Sequence, residues 1–534
     1  MSSDGNTLHQ VRRAARSAFG HDELLPGQAD ATAALLEDRD VLLVAPTGAG
    51  KSLVYQLAGL LIDGPTLVVS PLLALQQDQL DHVAQSTAGV RAGRISSAES
   101  ASAQQDVLDS AAAGDLEFVF LAPEQLSRPD VRERLADVGP SLVAVDEAHC
   151  VSTWGHDFRP DYFRLGELVA DLGAPRIVAL TATAAPPVRD DIVARLRMRD
   201  PLTVVTGFAR DNIALEVVRH ATETEQRRAV VDTVVAADGP GIVYCRTRRA
   251  AEDLAAAIAA AGRQSVVYHA GLARRRRDEA QQAFMRGDPE VVVATSAFGM
   301  GIDKPDVRWI VHAQVPESLD TYYQEVGRAG RDGEPATATL AYRPEDLSLG
   351  RFFSPAVPKR PDVERVAAAV AELGTDPRAV AAHTGLSARR SGRIVNLLEL
   401  ARQSQEGPVE GGAAVDAAIE IAESHRRLER SRVEMMRTYA ETRRCRAELL
   451  VGYFGEQRDD RCGRCDNCRA DIAPDPGDRA ATPYAVQRRV HHAEFGDGVV
   501  TDVESDRLTV IFDDVGYRTL ALHLAESGLL EPLD

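Results

Sequence analysis

Residues 41–52, with the sequence VLLVAPTGAGKS, have the composition of a phosphate-binding loop. A four-residue apolar run leads into a glycine-rich turn, and a helix-compatible segment, residues 53–61, follows. Backbone N–H groups of such a turn can surround a triphosphate, and the positive end of the following helix points at the same anion. Lys51 would then contact the β and γ phosphates of ATP, and the Ser52 hydroxyl would bind Mg²⁺. The predicted contacts of this loop with ATP come from Thr47, Gly48, Gly50, Lys51 and Ser52.

Lysine is rare elsewhere in the chain, which makes Lys51 informative. Lys51, Lys304 and Lys359 are the only lysines, and the other 58 of the 61 basic residues are arginine. The planar guanidinium of arginine cannot replace a compact ammonium group inside a phosphate loop. We therefore interpret Lys51 as a chemical requirement of this site.

Two adjacent acids follow another apolar run, residues 141–145, and supply further chemistry that ATP hydrolysis needs. Ligands of an open parallel sheet bind at the carboxyl ends of its strands, where Asp146 and Glu147 would lie. Asp146 could hold Mg²⁺ through water, and Glu147 could orient and deprotonate the water that attacks the γ phosphate.

Further along, Arg328 and Arg331 are spaced three apart between glycines. They could reach the phosphates as arginine fingers, the alternative being a solvated basic turn.

Four cysteines form a second candidate site, which is independent of ATP. Cys445, Cys462, Cys465 and Cys468 are separated by 16, 2 and 2 residues. Cys-x-x-Cys turns place two thiolates on one metal ion, and four thiolates complete a closed tetrahedron around Zn²⁺. Because a closed site leaves no open coordination position, we predict a structural and not a catalytic role for this zinc.

The composition limits the class of protein. A chain of 534 residues, of which 44% are apolar and 26% charged, can bury several cores, and we expect about three to five domains. No apolar run approaches the roughly 18 residues of a membrane span, and the amino terminus has no signal-peptide core, so we predict a cytoplasmic protein without membrane contact. The net charge of −19 argues against a generally basic surface for nucleic acid, but it is compatible with a local channel.

Two series of strand-length apolar runs alternate with helical segments, and each series predicts a parallel sheet covered by helices. The predicted strands are 41–44, 66–70, 118–122, 142–145 and 177–181 in the first series, and 242–245, 265–268, 291–295, 309–312 and 337–342 in the second. Farther along, residues 362–403 have helix-turn-helix-like spacing, and residues 415–454 predict one long charged helix. Strand-length runs over the last ~50 residues predict a small β-barrel.

Together these motifs resemble those of superfamily 2 helicases, and specifically the RecQ family of DNA helicases, over roughly residues 19–468. APTGAGKS matches the nucleotide loop of that family, and DEAH matches its Mg²⁺ and base motif. FGHDELLPGQ is similar to its adenine-reading motif, in which Gln28 would contact the base, although Leu25 stands where arginine is usual. The resemblance implies two tandem RecA-like domains and an ATP hydrolase that moves 3′ to 5′ on single-stranded DNA and separates strands in DNA repair or recombination.

The resemblance also implies where DNA binds. The sequence CVSTWGHDFRPDY, residues 150–162, is similar to the aromatic-rich loop by which RecQ proteins couple single-stranded DNA to ATP hydrolysis. Trp154 and Phe158 would offer faces on which bases stack, and Arg159 would add a cation beside them. SPLLALQQDQ and FLAPEQL match other strand-contacting segments of the family.

Further roles follow from the resemblance in the second domain. The match assigns nucleic-acid backbone contacts to the segments around Thr247 and Thr295, and nucleotide contacts to Gly301 and Asp303. It assigns the arginine finger to Arg328 or Arg331, and we prefer Arg331.

The resulting domain prediction departs from the usual RecQ order. The predicted domains are two RecA-like domains (1–205 and 206–350), a winged-helix-like segment (351–412), a helical hairpin with a zinc module (413–472), a linker (473–485) and a Tudor/SH3-like β-barrel (486–534). The winged-helix-like segment precedes the zinc module instead of following it, and residues 405–412 contain no aromatic residue for a strand-separating pin. Residues 488–530 resemble the Tudor-like module of some superfamily 1 helicases, which docks on RNA polymerase. We expect single-stranded and branched DNA as partners of the chain. At the barrel we expect a protein partner, either RNA polymerase or a repair factor.

Two other functions fit parts of the pattern. An RNA-dependent ATPase would use the same ATP site, but the aromatic loop and the cysteines argue against it. A DNA-binding scaffold with a vestigial ATPase would not need to keep Lys51, Glu147 and Arg331 intact.

Overall fold

The computed structural model describes residues 3–533 except 72, 85, 87–88, 97–98, 153–161, 163, 300–301, 349, 351–355, 404–411, 476–481 and 505. The chain forms two compact units. The first consists of Met1–Asp346 with Thr438–Arg479, and the second of Leu347–Arg437 with Ala480–Asp534.

The first unit begins with a seven-stranded parallel sheet in the order β3-β4-β2-β5-β6-β1-β7. Its strands are β1 Val41–Val44, β2 Thr66–Val69, β3 Ala92–Ile95, β4 Phe118–Leu121, β5 Leu142–Val145, β6 Arg176–Thr181 and β7 Leu202–Val205. Every residue of β1, β2, β4 and β5 is buried, as expected for strands covered on both faces. The predicted strands are confirmed, but the prediction missed β3 and β7, the edge strands, whose sequences are less continuously apolar or less buried.

Helices cover both faces of this sheet. They are Ser3–Phe19, Gln28–Leu36, Ser52–Leu61, Leu73–Ala84, Ala101–Ala112, Pro123–Leu126, Pro129–Val138, Leu165–Ala170 and Pro186–Arg195, with a 3₁₀ turn at Ala148–Val151. The core between helices and sheet includes Val54, Tyr55, Phe118 and Phe120. The glycine-rich loop joins β1 to the helix Ser52–Leu61. Because both of these elements are buried, the loop is held at its two ends.

A second parallel sheet, of six strands in the order β10-β11-β9-β12-β13-β8, follows in the same unit. Its strands are β8 Ile213–Arg219, β9 Gly241–Tyr244, β10 Val266–Tyr268, β11 Val291–Ala294, β12 Trp309–His312 and β13 Ala336–Tyr342. Its helices are Glu223–Ala236, Arg248–Ala260, Arg274–Arg286 and Leu319–Val326, with a 3₁₀ turn at Pro344–Asp346. The two tandem parallel-sheet domains are therefore confirmed, and β8 is a strand that the prediction missed.

The prediction of one continuous helix over residues 415–454 is wrong. The structure has a helix at Gly412–Glu441 and a separate one at Arg446–Tyr453, followed by the short helix Asp466–Arg469. The Asn467 side chain donates hydrogen bonds to the carbonyl oxygens of Thr442 (2.9 Å) and Arg444 (2.7 Å). These bonds satisfy backbone acceptors that the break exposes, so the break is held by a residue more than twenty positions away.

The second unit contains three helices with helix-turn-helix-like spacing, Arg360–Leu373, Pro377–Thr384 and Ala388–Gln403, as predicted. It also contains an antiparallel sheet in the order β17-β16-β15-β14-β18. These strands are β14 Arg489–His492, β15 Gly496–Val503, β16 Arg507–Phe512, β17 Gly516–Ala521 and β18 Leu530–Pro532, and two short helical turns, Leu522–Leu524 and Ala525–Leu529, precede the last one. The predicted C-terminal β-structure is confirmed, with β17 and β18 at its edges; its likeness to Tudor or SH3 modules stays a prediction.

This sheet packs on the long helix within the second unit. The backbone N–H of Tyr517 donates to Ser431 Oγ at 3.0 Å, and Arg427 Nε donates to the Asp514 carbonyl at 2.9 Å. In the described part of the chain, no helix combines the length and the apolar character that passage through a bilayer requires.

Candidate functional site

Three neighbouring strands of the first sheet place the predicted ATP-site residues at one edge. The glycine-rich loop follows β1, Asp146 and Glu147 follow β5, and Thr181 ends β6, which pairs with both. The glycine-rich loop and the two acids face a cavity of about 860 Å³ that both parallel-sheet domains line. The predicted site residues in its wall are Gln28, Thr47, Gly48, Gly50, Lys51, Ser52, Asp146, Glu147, Asp303, Arg328 and Arg331.

The glycine-rich loop has the geometry of a phosphate cradle. Gly48 and Gly50 have φ angles of 87° and 61°, a region that disfavours other residues. Lys51 Nζ donates to the carbonyl oxygens of Ala45 (3.0 Å) and Pro46 (3.1 Å). Burial lowers the pKa of Lys51, while the charges of the nearby acids act in the opposite direction. A partly buried ammonium group whose hydrogen bonds go to neutral carbonyls suits an incoming phosphate.

Gln28, the predicted adenine contact, lies against this loop. Its Nε2 donates to the carbonyl oxygens of Ala49 (3.2 Å) and Gly50 (2.9 Å), and its Oε1 accepts from the N–H of Leu25 (2.8 Å). Gln28 therefore holds the carboxyl-terminal part of the loop, and its contact with a base stays a prediction.

The acid pair is partly buried next to Lys51. Burial first, and then the neighbouring Glu147, raise the pKa of Asp146 to about 7, whereas Lys51 lowers it. Glu147 has φ 48° and ψ 47°, a left-handed conformation that costs about 1 kcal/mol or more for a residue with a side chain. Ser52 Oγ, which accepts from Gln79 Nε2 at 3.2 Å, lines the same cavity. The Asp146 carboxylate and the Ser52 hydroxyl are oxygen ligands of the kind that Mg²⁺ prefers, and the cation would neutralise charge on the acid pair.

A chain of polar contacts runs from Glu147 into the second sheet domain. His149 Nδ1 lies 3.3 Å from a Glu147 carboxylate oxygen and 3.0 Å from Thr181 Oγ1. Thr181 Oγ1 donates to the Thr183 carbonyl at 3.1 Å, and Gln324 Nε2 of the second domain donates to Thr183 Oγ1 at 3.2 Å. Sequence reasoning missed Gln324, whose only signal is that it begins the QEVGRAGRDG segment.

Both candidate arginine fingers lie on the second domain's side of the cavity. Arg328 is 6% exposed. The aliphatic part of Arg331 lies on the glycine-rich loop, since a Cβ added to Gly48 would be 3.4 Å from it. Arg331 Nη1 donates to the Ile302 carbonyl (2.8 Å) and to Asp303 Oδ1 (2.7 Å). Burial and the charge of Arg328 lower the pKa of Arg331, and Asp303 opposes this shift.

The predicted DNA contacts are described only in part. Trp154, Phe158 and Arg159 lie outside the described residues, as does Gly301. Thr247 and Thr295 follow the adjacent parallel strands β9 and β11, so they lie at the same edge of the second sheet. Thr247 Oγ1 accepts from the Ala250 N–H at 3.1 Å and caps a helix. The DNA-binding roles of these residues stay predictions.

The four cysteines come together as the spacing predicts. Their sulfur atoms all lie within 4.8 Å of one another, and no other cluster of three or more potential metal ligands is found in the described part of the chain. Cys462 Sγ and Cys468 Sγ are 3.9 Å apart, close to the edge of about 3.8 Å of a tetrahedron with Zn–S bonds of about 2.3 Å. Backbone N–H groups of Cys462 and Cys465 donate to Cys445 Sγ and Cys462 Sγ, both at 3.3 Å, as thiolates require.

Family models match three successive parts of the chain. DEAD/DEAH box helicase matches residues 25–192, the helicase conserved C-terminal domain matches residues 225–333, and RecQ zinc-binding matches residues 402–469. The third match and the geometry of the cysteines confirm the expectation of zinc. The first two models agree with the expectation of ATP and Mg²⁺.

Known proteins agree with this assignment. The chain is 33% identical to the ATP-dependent DNA helicase RecQ of Bacillus subtilis over 465 residues, which cover 86% of this chain and 67% of that protein. The chain belongs to the RecQ family of ATP-dependent DNA helicases. It is 41% identical over 332 residues to the probable ATP-dependent DNA helicase RecS of Bacillus subtilis, covering 62% of this chain and 66% of RecS. This RecQ chain thus spans about two thirds of the length of these two relatives.

Solved structures show the same fold at low sequence identity. A structure of Mycobacterium smegmatis helicase Lhr bound to ssDNA and AMP-PNP has a TM-score of 0.52 and 21% identity, covering 79% of this RecQ chain and 62% of Lhr. Helicase MrfA bound to DNA has a TM-score of 0.53 and 19% identity, covering 77% and 60%. At these identities the likeness concerns the helicase fold alone.

Proposed function

We propose that this RecQ family chain is an ATP-dependent DNA helicase that moves 3′ to 5′ on single-stranded DNA and separates strands in DNA repair or recombination. The observation that carries the proposal is a cavity that both sheet domains line. One wall holds the lysine and the acid pair, and the other holds two arginines. ATP bound there would contact both domains, so its hydrolysis could change how they pack.

The residues of the cavity divide the chemistry between them. Lys51 and the loop N–H groups bind the phosphates, and Glu147 accepts the proton of the attacking water. Ser52 and Asp146 would hold Mg²⁺, which neutralises phosphate charge when bound. Arg331, with Arg328 beside it, stabilises the charge that develops on the γ phosphate.

Other segments of the chain are the proposed contacts with DNA. Trp154, Phe158 and Arg159 would contact the single strand, and Thr247 and Thr295 would contact its backbone from the second domain. The cysteines hold zinc in a structural role. Branched DNA is a further proposed substrate.

The antiparallel sheet of the second unit is the proposed docking site for a protein, RNA polymerase or a repair factor. Its resemblance to Tudor-like modules supports this proposal. We also propose a cytoplasmic location and the domain boundaries given above.

The test is steady-state ATP hydrolysis by the full chain without nucleic acid, with single-stranded DNA and with single-stranded RNA, using Glu147→Gln as the control. We expect stimulation by DNA that the variant abolishes, followed by strand displacement on a 3′-tailed duplex. Equal stimulation by RNA would favour an RNA-dependent ATPase. No turnover under any condition would favour the DNA-binding scaffold.

A further inference from the structure

The segment between the two sheet domains, residues 206–212, contacts the turn that carries the candidate arginine fingers. We call this segment the interdomain linker; it joins β7 to β8 in the first unit. Arg210 Nη1 donates to the carbonyl oxygen of Gly327 at 3.0 Å. Arg210 Nη2 donates to the carbonyl oxygens of Ala329 (2.9 Å) and Gly330 (3.2 Å). One guanidinium group therefore holds three carbonyl oxygens on both sides of Arg328.

A second linker residue holds the far end of the same turn. Asn212 Nδ2 donates to the carbonyl oxygens of Gly330 (2.7 Å) and Glu334 (3.0 Å). Gly330 has a φ of 56°, and a Cβ there would collide with the Asn212 amide and lie 2.7 Å from the Glu334 oxygen. The close approach of linker and turn thus requires glycine at this position.

The other side of the linker is held by the chain around the cysteines, residues 442–475, which we call the cysteine segment. The N–H of Phe208 donates to a carboxylate oxygen of Glu456. The rings of Phe208 and Phe454 stack with centroids 4.7 Å apart and planes 12° apart. Arg458 Nη1 pairs with Asp211 Oδ1 at 2.8 Å. Two residues of the linker, Phe208 and Asp211, therefore contact the cysteine segment.

The guanidinium group of Arg210 is suited to holding the turn in one position. Its fork presents donors in fixed directions, which lets it engage several carbonyls that a lysine ammonium could not reach together. The Arg210 side chain is partly buried where it binds the turn, and this burial lowers the pKa of its guanidinium group. A desolvated fork holds its acceptors more firmly than a solvated one.

We propose that Arg210 and Asn212 are positioning residues, which fix the position of the turn that carries Arg328 and Arg331. The cysteine segment in turn fixes the position of the linker from which they act. This inference rests on the proposed function, because it gives the turn a role toward the γ phosphate of ATP. Arg210 does not line the cavity. It acts through Arg328 and Arg331, which project from the turn that it holds.

The test compares Arg210→Lys and Arg210→Ala with Arg263→Lys and Arg263→Ala in the full chain. Arg263 is a matched control, because its guanidinium also donates to three carbonyl oxygens, those of Val234, Ala237 and Gly239, at positions that do not line the cavity. Two quantities are measured: DNA-stimulated kcat and KM for ATP, and the affinity for a fluorescent ADP with and without aluminium fluoride, which mimics the transferred phosphoryl group.

We expect both Arg210 variants to lower kcat by about tenfold or more, with KM and ADP affinity within about threefold of wild type. The tightening of ADP binding by aluminium fluoride should be lost, while both Arg263 variants keep it. Equal losses in the Arg210 and Arg263 variants, or tightening retained in Arg210→Lys, would overturn the proposal. Absence of tightening in the wild type would overturn it too. If the wild type shows tightening but no ATP turnover, the proposed function is wrong. The aluminium fluoride effect in the Arg210 and Arg263 variants then still tests the positioning role.

The contribution of the cysteine segment is tested by Glu456→Gln, alone and combined with Arg210→Lys. We expect Glu456→Gln to retain one zinc ion per chain, measured by metal analysis, and to weaken the aluminium fluoride effect by a few fold. If both residues act through the linker, the double variant should be no worse than Arg210→Lys alone. Additive losses would contradict an effect transmitted through the linker.

Discussion

The ATP cleft holds two adjacent, partly buried carboxylates and one lysine at the ends of parallel strands, whereas the cysteine cluster gathers four thiols around one position. In the cleft, Lys51 donates to neutral carbonyls, and desolvation and the charge of Glu147 raise the pKa of Asp146 to about 7. In the cluster, backbone N–H groups already point at the sulfur atoms. Lys51 offsets part of the charge of the acid pair, and Mg²⁺ would offset more of it, while one divalent ion satisfies the cluster.

The difference predicts opposite effects on stability. Groups arranged for a ligand are strained or poorly solvated in its absence, so removing them costs activity and little stability. Groups that close a structural metal site hold the surrounding chain, so removing them costs stability first. Glu147, with its left-handed backbone and like-charged neighbour, is an example of the first kind.

The largest expected effect is the loss of zinc. Cys465→Ser should abolish binding of the zinc ion, since structural zinc contributes on the order of 10 kcal/mol to folding in small zinc domains. Metal analysis and thermal unfolding measure the effect. Cys245→Ala is the matched control, because Cys245 is a buried thiol outside the cluster and its loss should leave the zinc content unchanged. Full zinc content in Cys465→Ser would refute the closed four-thiolate site.

Glu147→Gln should have the next largest effect, on activity alone. Loss of the base should lower DNA-stimulated ATP turnover by about 100-fold or more. The free energy of unfolding, measured with denaturant, should be unchanged or higher, because a like charge beside Asp146 disappears. Glu167→Gln, on the surface of the same domain, controls for the substitution itself. A destabilised Glu147→Gln chain would remove the contrast between cleft and cluster.

The pH dependence of stability gives a third test. Asp146 has a pKa of about 7 when folded against about 4 when unfolded, so the folded state binds the proton more tightly. Its contribution to the free energy of unfolding is therefore greatest below about pH 4 and falls as the pH rises through about 7, by a few kcal/mol at most. Denaturant unfolding in magnesium-free buffer should show this slope, and Asp146→Asn should reduce it. An equal slope in the variant would count against the raised pKa.

The smallest effect is expected at the contact between the two sheet domains. Gln324→Ala removes the hydrogen bond to Thr183 and should lower DNA-stimulated turnover by about three- to tenfold, with ADP affinity kept. Gln281→Ala is the control, because it removes an amide from the same cavity wall. Equal losses in the two variants would show that the Thr183 contact has no special role.

Much of this site could be predicted because its signals are local in the chain. The phosphate loop, the acid pair and the cysteine pairs each lie within a few residues of one another, so spacing alone indicates their chemistry. Central strands were also predictable, since burial on both faces demands a continuous apolar run. The edge strands β3 and β7 are less buried, so they do not require a continuous apolar run, and their sequences indicate a strand less clearly.

The sequence by itself predicted the central strands of the two parallel sheets, the glycine-rich loop, the gathering of the four cysteines and the family. Tertiary structure alone decided that Arg210 holds the carbonyls around Arg328, that Glu456 holds the linker, that Asn467 secures the break in the long helix and that Gln324 meets Thr183. Each of these contacts joins residues from 25 to about 250 positions apart. The physical reason is that an arginine or glutamine side chain has the same local signature whether solvent or a distant carbonyl accepts its hydrogen bonds, so only packing selects the partner.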